Sequence, residues 1–201
     1  MFDRISVNYE ISWARIVSDV LSPPMVWAIL SIPIALRDAP TTAHGIQWAS
    51  IYIWFVCILP LIYIGFMVKR GYITDIHMKV REQRIRPFVI SIASTLVAFF
   101  VLDLANAPDV MLLFTLFTLI QLVIIAGITL MWQISFHAIS IGGATVALWV
   151  LFSAVLGLLT LPLVLIVGAA RLNLNRHTPA QVLAGSLLGM VIPVLMFALF
   201  T

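Results

Sequence analysis

Charged residues and cysteines are both scarce in this chain. Only 9% of its 201 residues are charged, and Cys57 is the single cysteine. One thiol cannot form an intrachain disulfide or a multi-thiolate metal site. Hydrophobic residues make up 63% of the chain, in runs near the ~20 residues that cross a ~30 Å hydrocarbon core. The runs do not alternate as barrel strands do. The sequence therefore predicts an all-α, polytopic transmembrane bundle of about six or seven spans, forming one integral membrane domain over residues 1–201.

The positions of the charges exclude a nucleic-acid partner, although the formal net charge is +3. The basic residues lie at the edges of apolar segments, as the positive-inside bias predicts. The N-terminus carries Asp3 and Glu10 and lacks a short basic region followed by a cleavable apolar core. We therefore expect no signal peptide.

Hydrophobic spacing divides the chain into segments. Residues 1–18 place apolar side chains at helical intervals with charged ones between them, which predicts an amphipathic helix in the membrane interface. Two spans follow within 20–68, at about 20–36 and 46–68. After a polar loop, the predicted core at 79–201 has spans at about 87–103 and 110–132, two short or tilted spans with a bend near Gly157, and a last span from 179.

Three short polar clusters interrupt the apolar core. They are Lys79 to Pro87, Ser135 to His137, and Arg171 to His177. Counting spans places one helical hairpin between successive clusters, so all three return to the same membrane face. That face collects every lysine and arginine except Arg37, and we therefore assign it to the cytoplasm.

Each cluster directly precedes a predicted helix, and helix N-termini attract anions through free N–H groups and the helix dipole. Pro87 suits a first turn, Ser135 is a favourable N-cap, and Thr178-Pro179 is an N-cap followed by a first-turn proline. Arginine offers a bidentate fork to phosphate, and two histidines can supply a nucleophile and a general acid at neutral pH. Singly, such cations are usually topology markers and His137 an interfacial side chain. Only the joint arrangement indicates a phosphate site.

The spacing of the clusters resembles that of the type 2 phosphatidic acid phosphatase superfamily, whose motifs are K-x6-R-P, P-S-G-H and S-R-x5-H-x3-D. Lys79 to Arg86-Pro87 matches the first motif completely. Ser135-Phe136-His137 matches the second at serine and histidine. Arg171, His177 and Gln181 align with the third, with glutamine in place of aspartate. The resemblance covers residues 79 to 201.

The resemblance implies a phosphatase that needs neither a metal nor another cofactor. His177 would attack phosphorus to form a phosphohistidine, and His137 would protonate the leaving oxygen. The phosphate-binding groups would be Lys79, Arg86, Ser135 and Arg171. Gln181 would orient His177, but it brings no negative charge, and Thr178-x-x-Gln181 also has the form of a capping box. Phe136 replaces a glycine and is expected to narrow or reshape the pocket.

The leading hypothesis is a membrane phosphatase acting on a lipid phosphate: phosphatidate, phosphatidylglycerol phosphate or a prenyl diphosphate. Its partners would be that substrate and the surrounding membrane lipids. A catalytically silent lipid-phosphate binding or transport protein is the alternative, which Gln181 and Phe136 favour. A structural or assembly protein with an accidental match is a third hypothesis.

Overall fold

The computed structural model describes residues 12–76, 78 and 80–200, and side chains as far as Ala198. Within that part every element of secondary structure is a helix, which confirms the predicted fold class. The helices are α1 (Trp13–Val20), α2 (Pro23–Arg37), α3 (Thr42–Lys69), α4 (Arg81–Leu104), α5 (Asp109–Met131), α6 (Phe136–Leu151), α7 (Ala154–Asn173) and α8 (Pro179–Phe200). Residues 1–11 of the predicted interfacial helix lie outside the described residues, as does Lys79.

Five of these helices, α3, α4, α5, α7 and α8, are long and apolar enough to cross a membrane. The pair α1 and α2, bent by 46° at Leu21–Ser22, gives a sixth such span. The 16-residue α6 is shorter. It nevertheless runs between the two ends of the bundle, because its start contacts α8 and its last carbonyl accepts from Arg37 at the end of α2. The described chain is therefore a polytopic bundle of the predicted size.

Local polar contacts determine where most helices begin. The hydroxyls of Ser12, Thr41, Ser135 and Ser153 each accept a backbone N–H from the first turn of the helix that follows. The first turn of α4 is a 3₁₀ turn at Arg81–Arg84. This helix therefore starts six residues before Pro87, where the sequence places the start of the span. Pro87 lies in the first turn of the α-helical part that starts at Ile85, where a proline is tolerated, so it does not mark the start of α4.

The predicted bend near Gly157 is misplaced. The break between α6 and α7 lies at Phe152–Ser153, and Gly157 is a buried residue within α7. A Cβ atom at Gly157 would lie 2.6 Å from the Cβ of Trp149. This glycine therefore permits close packing of α7 on α6 and does not break the helix.

Helix α3 contains an irregularity that hydrophobic periodicity does not reveal. Ile53–Ile58 is a π-helical segment, and the N–H of Leu59 donates to the carbonyl of Trp54, five residues earlier. Pro60 follows at once and has no N–H to donate, which favours the wider turn ahead of it. The part of α3 before and within this segment packs on both α2 and α4, whereas the part after it packs on α4.

The described parts of the three polar clusters lie at one end of the bundle, here called the site end. Four contacts between helix ends hold the clusters together there. Arg81 Nη1 donates to the carbonyl of Met131 (2.8 Å), and the Ser135 N–H donates to the carbonyl of Gln181 (3.3 Å). Arg171 Nη1 donates to Ser18 Oγ (2.6 Å), and Arg176 Nη1 lies 3.5 Å from Asp75 Oδ2. At the opposite end, Trp48 Nε1 donates to the carbonyl of Ala105 (3.0 Å).

Helices α6 and α8 approach so closely that only glycine fits between them. A Cβ atom at Gly185 would lie 2.8 Å from the carbonyl oxygen of Ser135, and one at Gly189 would overlap the backbone of Ile139. The two glycines are four residues apart on one face of α8, the spacing typical of close helix pairs in membranes. This contact sets the start of α6, which carries His137, beside the start of α8, which follows His177.

Candidate functional site

A cavity of about 310 Å³ opens at the site end and is called the site cavity below. It brings together His137, Arg171 and His177, three of the residues that the sequence nominates. Arg84, Asp19, Ser22 and Ser91 also line it, and the rest of its wall is largely apolar. The cavity thus combines two guanidinium groups, two imidazoles and one carboxylate.

Arg171 lies in the last turn of α7 and is only 2% exposed. Its Nη1 donates to the hydroxyl oxygen of Ser18 on α1 at 2.6 Å, a short, charge-assisted bond. Its Nε has no hydrogen-bond partner in the described part of the chain. A buried charged group with an unused donor is costly, so this edge of the guanidinium is suited to an anionic ligand.

His137 is the second residue of α6, and the N-cap Ser135 sets the start of this helix. The Nε2 of His137 lies 3.0 Å from the backbone carbonyl oxygen of Ser18 and 3.4 Å from its hydroxyl oxygen. A carbonyl oxygen can only accept, so Nε2 carries a hydrogen in this arrangement. The side chain is buried at the cavity wall, and α1 holds it through the same residue that holds Arg171.

Gln181 fixes the tautomer of His177. Its Oε1 accepts the backbone N–H of Thr178 at 3.0 Å and lies 3.2 Å from Nδ1 of His177. Since the Thr178 N–H can only donate, the side-chain atom facing it is the oxygen, and the same oxygen must then accept Nδ1–H. The capping box and the contact with His177 therefore coexist, and Nε2 of the neutral ring keeps its lone pair.

His177 is held neutral at physiological pH. Burial first, and then the positive charges of Arg171 and Arg84, lower its pKa from 6.5 to about 4, although contacts with Gln181 and the Gln133 backbone act in the opposite direction. A neutral imidazole whose Nδ1–H is held by Gln181 is the form that a histidine nucleophile requires.

The remaining nominated residues are placed differently. Arg86 is exposed and does not line the site cavity, whereas Arg84, two residues earlier, is buried there with its Nε donating to the carbonyl of Met78 at 2.9 Å. Ser135 is fully buried, and its hydroxyl accepts the Ala138 N–H at 3.4 Å as a helix cap. It does not line the cavity. Lys79 lies outside the described residues.

Phe136 forms part of the cavity wall, in keeping with the expected effect of a large side chain at this position of the motif. Its ring packs edge-on against Phe88 of α4, with 5.9 Å between ring centroids. Leu61 and Ile64 of α3 extend the apolar wall. Leu61 is also exposed on the outer surface of the bundle, so the apolar wall continues toward the surface that faces lipid.

Ser18 and Arg84 are the site residues that the sequence did not nominate. The sequence does hold a signal for Ser18. In α1 the large apolar residues Trp13, Ile16 and Val20 are exposed, while Ala14 and Ser18, one turn apart, are buried. A helix that presents its bulky face to lipid must turn its small residues to the bundle, and a serine on that inner face is a candidate for a polar contact. Arg84 offers no comparable signal among its basic neighbours.

No protein-family description, curated protein or solved structure matches this chain. In the described ranges, no group of three or more histidine, cysteine, aspartate or glutamate side chains is arranged to hold a metal ion.

Proposed function

We propose that this protein is a membrane phosphatase that hydrolyses a lipid phosphate through a phosphohistidine intermediate. The observation that carries the proposal is the pairing, in one cavity, of a neutral His177 whose Nδ1–H is held by Gln181 and a buried Arg171 with an unused Nε donor. One is a nucleophile and the other is a group for binding an oxyanion. The resemblance of residues 79–201 to type 2 phosphatidic acid phosphatases supports the same chemistry.

The arginines bind the phosphate. Arg171 offers its unpaired edge, and Arg84 adds a second positive charge from α4. Two guanidinium groups in a partly apolar cavity stabilise the charge on the phosphoryl oxygens much more strongly than they would in water. In this proposal Arg171 keeps the phosphate-binding role that the resemblance implies, and Arg84 takes the part that it assigns to Arg86 and Ser135.

The reaction proceeds in two displacements. Nε2 of His177 attacks phosphorus, the bond from phosphorus to the ester or bridging oxygen breaks, and the protonated form of His137 gives a proton to the leaving oxygen. Neutral His137 then takes a proton from water, the oxygen of that water attacks phosphorus, the P–N bond breaks, and inorganic phosphate leaves with His177 neutral and His137 protonated again. Gln181 holds Nδ1–H throughout, so it orients the ring and supplies no charge. In a serine protease, replacing the orienting carboxylate by an amide costs about 10⁴ in rate, so we expect slow turnover.

The substrate class follows from the wall of the cavity. Phe136, Phe88, Leu61 and Ile64 give the cavity an apolar side that continues to the outer surface of the bundle. A phosphate carried by a hydrophobic chain buries that chain against such a wall, whereas a sugar phosphate would leave the wall exposed. Phosphatidate, phosphatidylglycerol phosphate and prenyl diphosphates all satisfy this requirement.

The test is phosphate release by purified protein in detergent, with each of these lipids, in the presence of a chelator. We expect turnover that persists in chelator and disappears in His177→Ala. Acid-labile phosphate on the wild-type protein after rapid quenching would identify the phosphohistidine. Turnover that survives His177→Ala would contradict the proposed nucleophile.

The second candidate is a lipid-phosphate binding or transport protein without turnover. Two features of the site favour it. His137 Nε2 is bound to the Ser18 carbonyl and not directed at a leaving group, and Gln181 is neutral where the family has a carboxylate. Binding of dioctanoyl phosphatidate that depends on Arg171, with no phosphate release over hours, would establish this candidate in place of the phosphatase.

We also propose that the site end faces the cytoplasm of a cell membrane. Among the described residues, the site end carries all lysines and arginines except Arg37, as the positive-inside bias requires. Because Cys57 is the sole cysteine and is buried, a Cys57→Ala background allows single cysteines to report sidedness. Tyr72→Cys at the site end should be protected from an impermeant thiol reagent in intact cells, and Ala43→Cys at the other end should react. The reverse pattern would invert the assignment.

A further inference from the structure

Ser18 connects the short helix α1 to two residues of the proposed site, Arg171 and His137. It is 1% exposed and lies 153 residues before Arg171 and 119 before His137 in the chain. Its hydroxyl oxygen accepts from Arg171 Nη1, and its backbone carbonyl accepts from His137 Nε2. The hydroxyl contact is not a helix cap, because Ser12 caps the first turn of α1, whereas the carbonyl is one of the last four of α1, which need a donor such as His137 from outside the helix.

The atom of Arg171 that Ser18 holds determines which edge of the guanidinium is left for a ligand. Nη1 lies on the same side of the planar group as Cδ. The opposite edge carries the Nε–H and an Nη2–H side by side, the spacing that matches two oxygens of a phosphate. Nε is the atom without a partner in the described part of the chain, although Arg171 is 2% exposed. The bond from Ser18 thus fixes one side of the group, and on the opposite edge Nε is a donor without a partner among the described residues.

We propose that Ser18 is a positioning residue that orients the Nε–Nη2 edge of Arg171 for bidentate binding of a phosphate oxyanion. The inference rests on the proposed phosphate site and adds α1 to it. Helix α1 then acts as a wall of the site, held against α7, and not only as a membrane anchor. An arginine held in one orientation loses less conformational freedom when the ligand binds, which favours affinity.

The chain supplies a matched control in Ser31. It is also buried, but its hydroxyl donates only to the Ala28 carbonyl of its own helix, α2. Ser18→Ala and Ser31→Ala therefore delete the same atom at similar burial, and only the first affects Arg171. Ser18→Ala keeps the backbone carbonyl that lies 3.0 Å from His137 Nε2 and removes only the longer, 3.4 Å contact with that ring.

The experiment measures KM and kcat for dioctanoyl phosphatidate, and the Kd of that lipid and of inorganic phosphate, in a double-mutant cycle of Ser18→Ala with Arg171→Lys. We expect Ser18→Ala to raise KM and both Kd values about tenfold, the usual effect of losing a hydrogen bond to a charged group, with kcat within about twofold. Ser31→Ala should change neither. In the Arg171→Lys background, Ser18→Ala should add no further loss, because the oriented edge is already gone. Thermal stability of each variant separates these effects from unfolding.

Equal Kd values for Ser18→Ala and Ser31→Ala, or a full additional loss in the Arg171→Lys background, would overturn the positioning role while leaving turnover and the proposed function intact. Arg171-dependent binding without turnover would reject the phosphatase, and the Kd values would still decide the role of Ser18. A wild-type protein that neither binds nor hydrolyses either probe would overturn both.

Discussion

His177 and His137 are fixed by opposite kinds of contact. The ring of His177 is oriented by a side chain four residues later in the same loop-to-helix segment, whereas His137 is held by the backbone of a distant helix. The first contact is local and follows from the capping-box pattern in the sequence. The second requires α1 to be packed against α7 and depends on the tertiary fold.

The lowered pKa of His177 predicts a stability change at acid pH. With a pKa of about 4 in the folded state and 6.5 unfolded, the ring is neutral in both states above about pH 6.5. As the pH falls from 6.5 to 4, only the unfolded state gains the proton, so the folded state loses about 3 kcal/mol relative to it. His177→Asn removes this difference. Denaturant unfolding in detergent at pH 7 and pH 4.5 should therefore show a smaller acid loss in the variant.

The contrast between Arg84 and Arg86 gives a second prediction at this scale. Arg84→Gln removes a buried cation from the site cavity, and we expect kcat/KM to fall 10- to 100-fold. Arg86→Gln changes an exposed side chain outside the cavity and should stay within about twofold. Both variants are compared at equal folded fraction. A larger loss of kcat/KM in Arg86→Gln than in Arg84→Gln would show that Arg86, the arginine of the K-x6-R-P pattern, binds the phosphate.

Among the residues of the site cavity, the spacing of the polar clusters nominated three that lie at or beside helix ends. His137, Arg171 and His177 were nominated because each lies at a helix end, and span counting brings those ends together. Ser18 and Arg84 depend on how α1 and the first turn of α4 pack, which no pattern along the chain encodes. Ser135 illustrates the limit: its N-cap position was predicted correctly, but that position buries the hydroxyl away from the cavity.

At the scale of elements, helix ends were more predictable than irregularities within helices. Caps are local, so Ser135 and Thr178 mark their helix starts in the sequence. The π-helical segment of α3 and the break at Phe152–Ser153 lie within apolar sequence, and their local causes, Pro60 and the cap Ser153, are single residues. Hydrophobic periodicity cannot distinguish one apolar turn from another.

The glycine contact between α6 and α8 gives a prediction for the helices. Gly189→Leu would force the α8 backbone away from Ile139, and we expect at least 1–3 kcal/mol of destabilisation and separation of His177 from His137. Gly65→Leu is the control, because a Cβ atom there meets nothing within 4 Å. Thermal unfolding of both variants in detergent measures the difference. Equal melting temperatures would show that α6 and α8 adjust without cost.

At the scale of the molecule, the bundle separates a lipid-facing exterior from polar groups gathered at one end. Large apolar side chains are exposed around the described helices, as expected for a protein surrounded by acyl chains, and the buried cations lie at the site end. The sequence predicted this separation, because its few charged residues lie at the edges of the apolar segments.

The 16 residues of α6 span about 24 Å, some 6 Å less than a typical hydrocarbon core, because a helix rises about 1.5 Å per residue. α6 is buried along most of its length among α2, α7 and α8, so the bilayer contacts the longer helices around it and not α6 itself. We therefore expect turnover in liposomes of monounsaturated phosphatidylcholines to vary little between 14- and 22-carbon chains. A steep decline toward 22 carbons would show that the bilayer acts on the site through the surrounding helices. The depth of a phosphate bound beside His137 is then set by an interior helix of the protein and not by the thickness of the membrane.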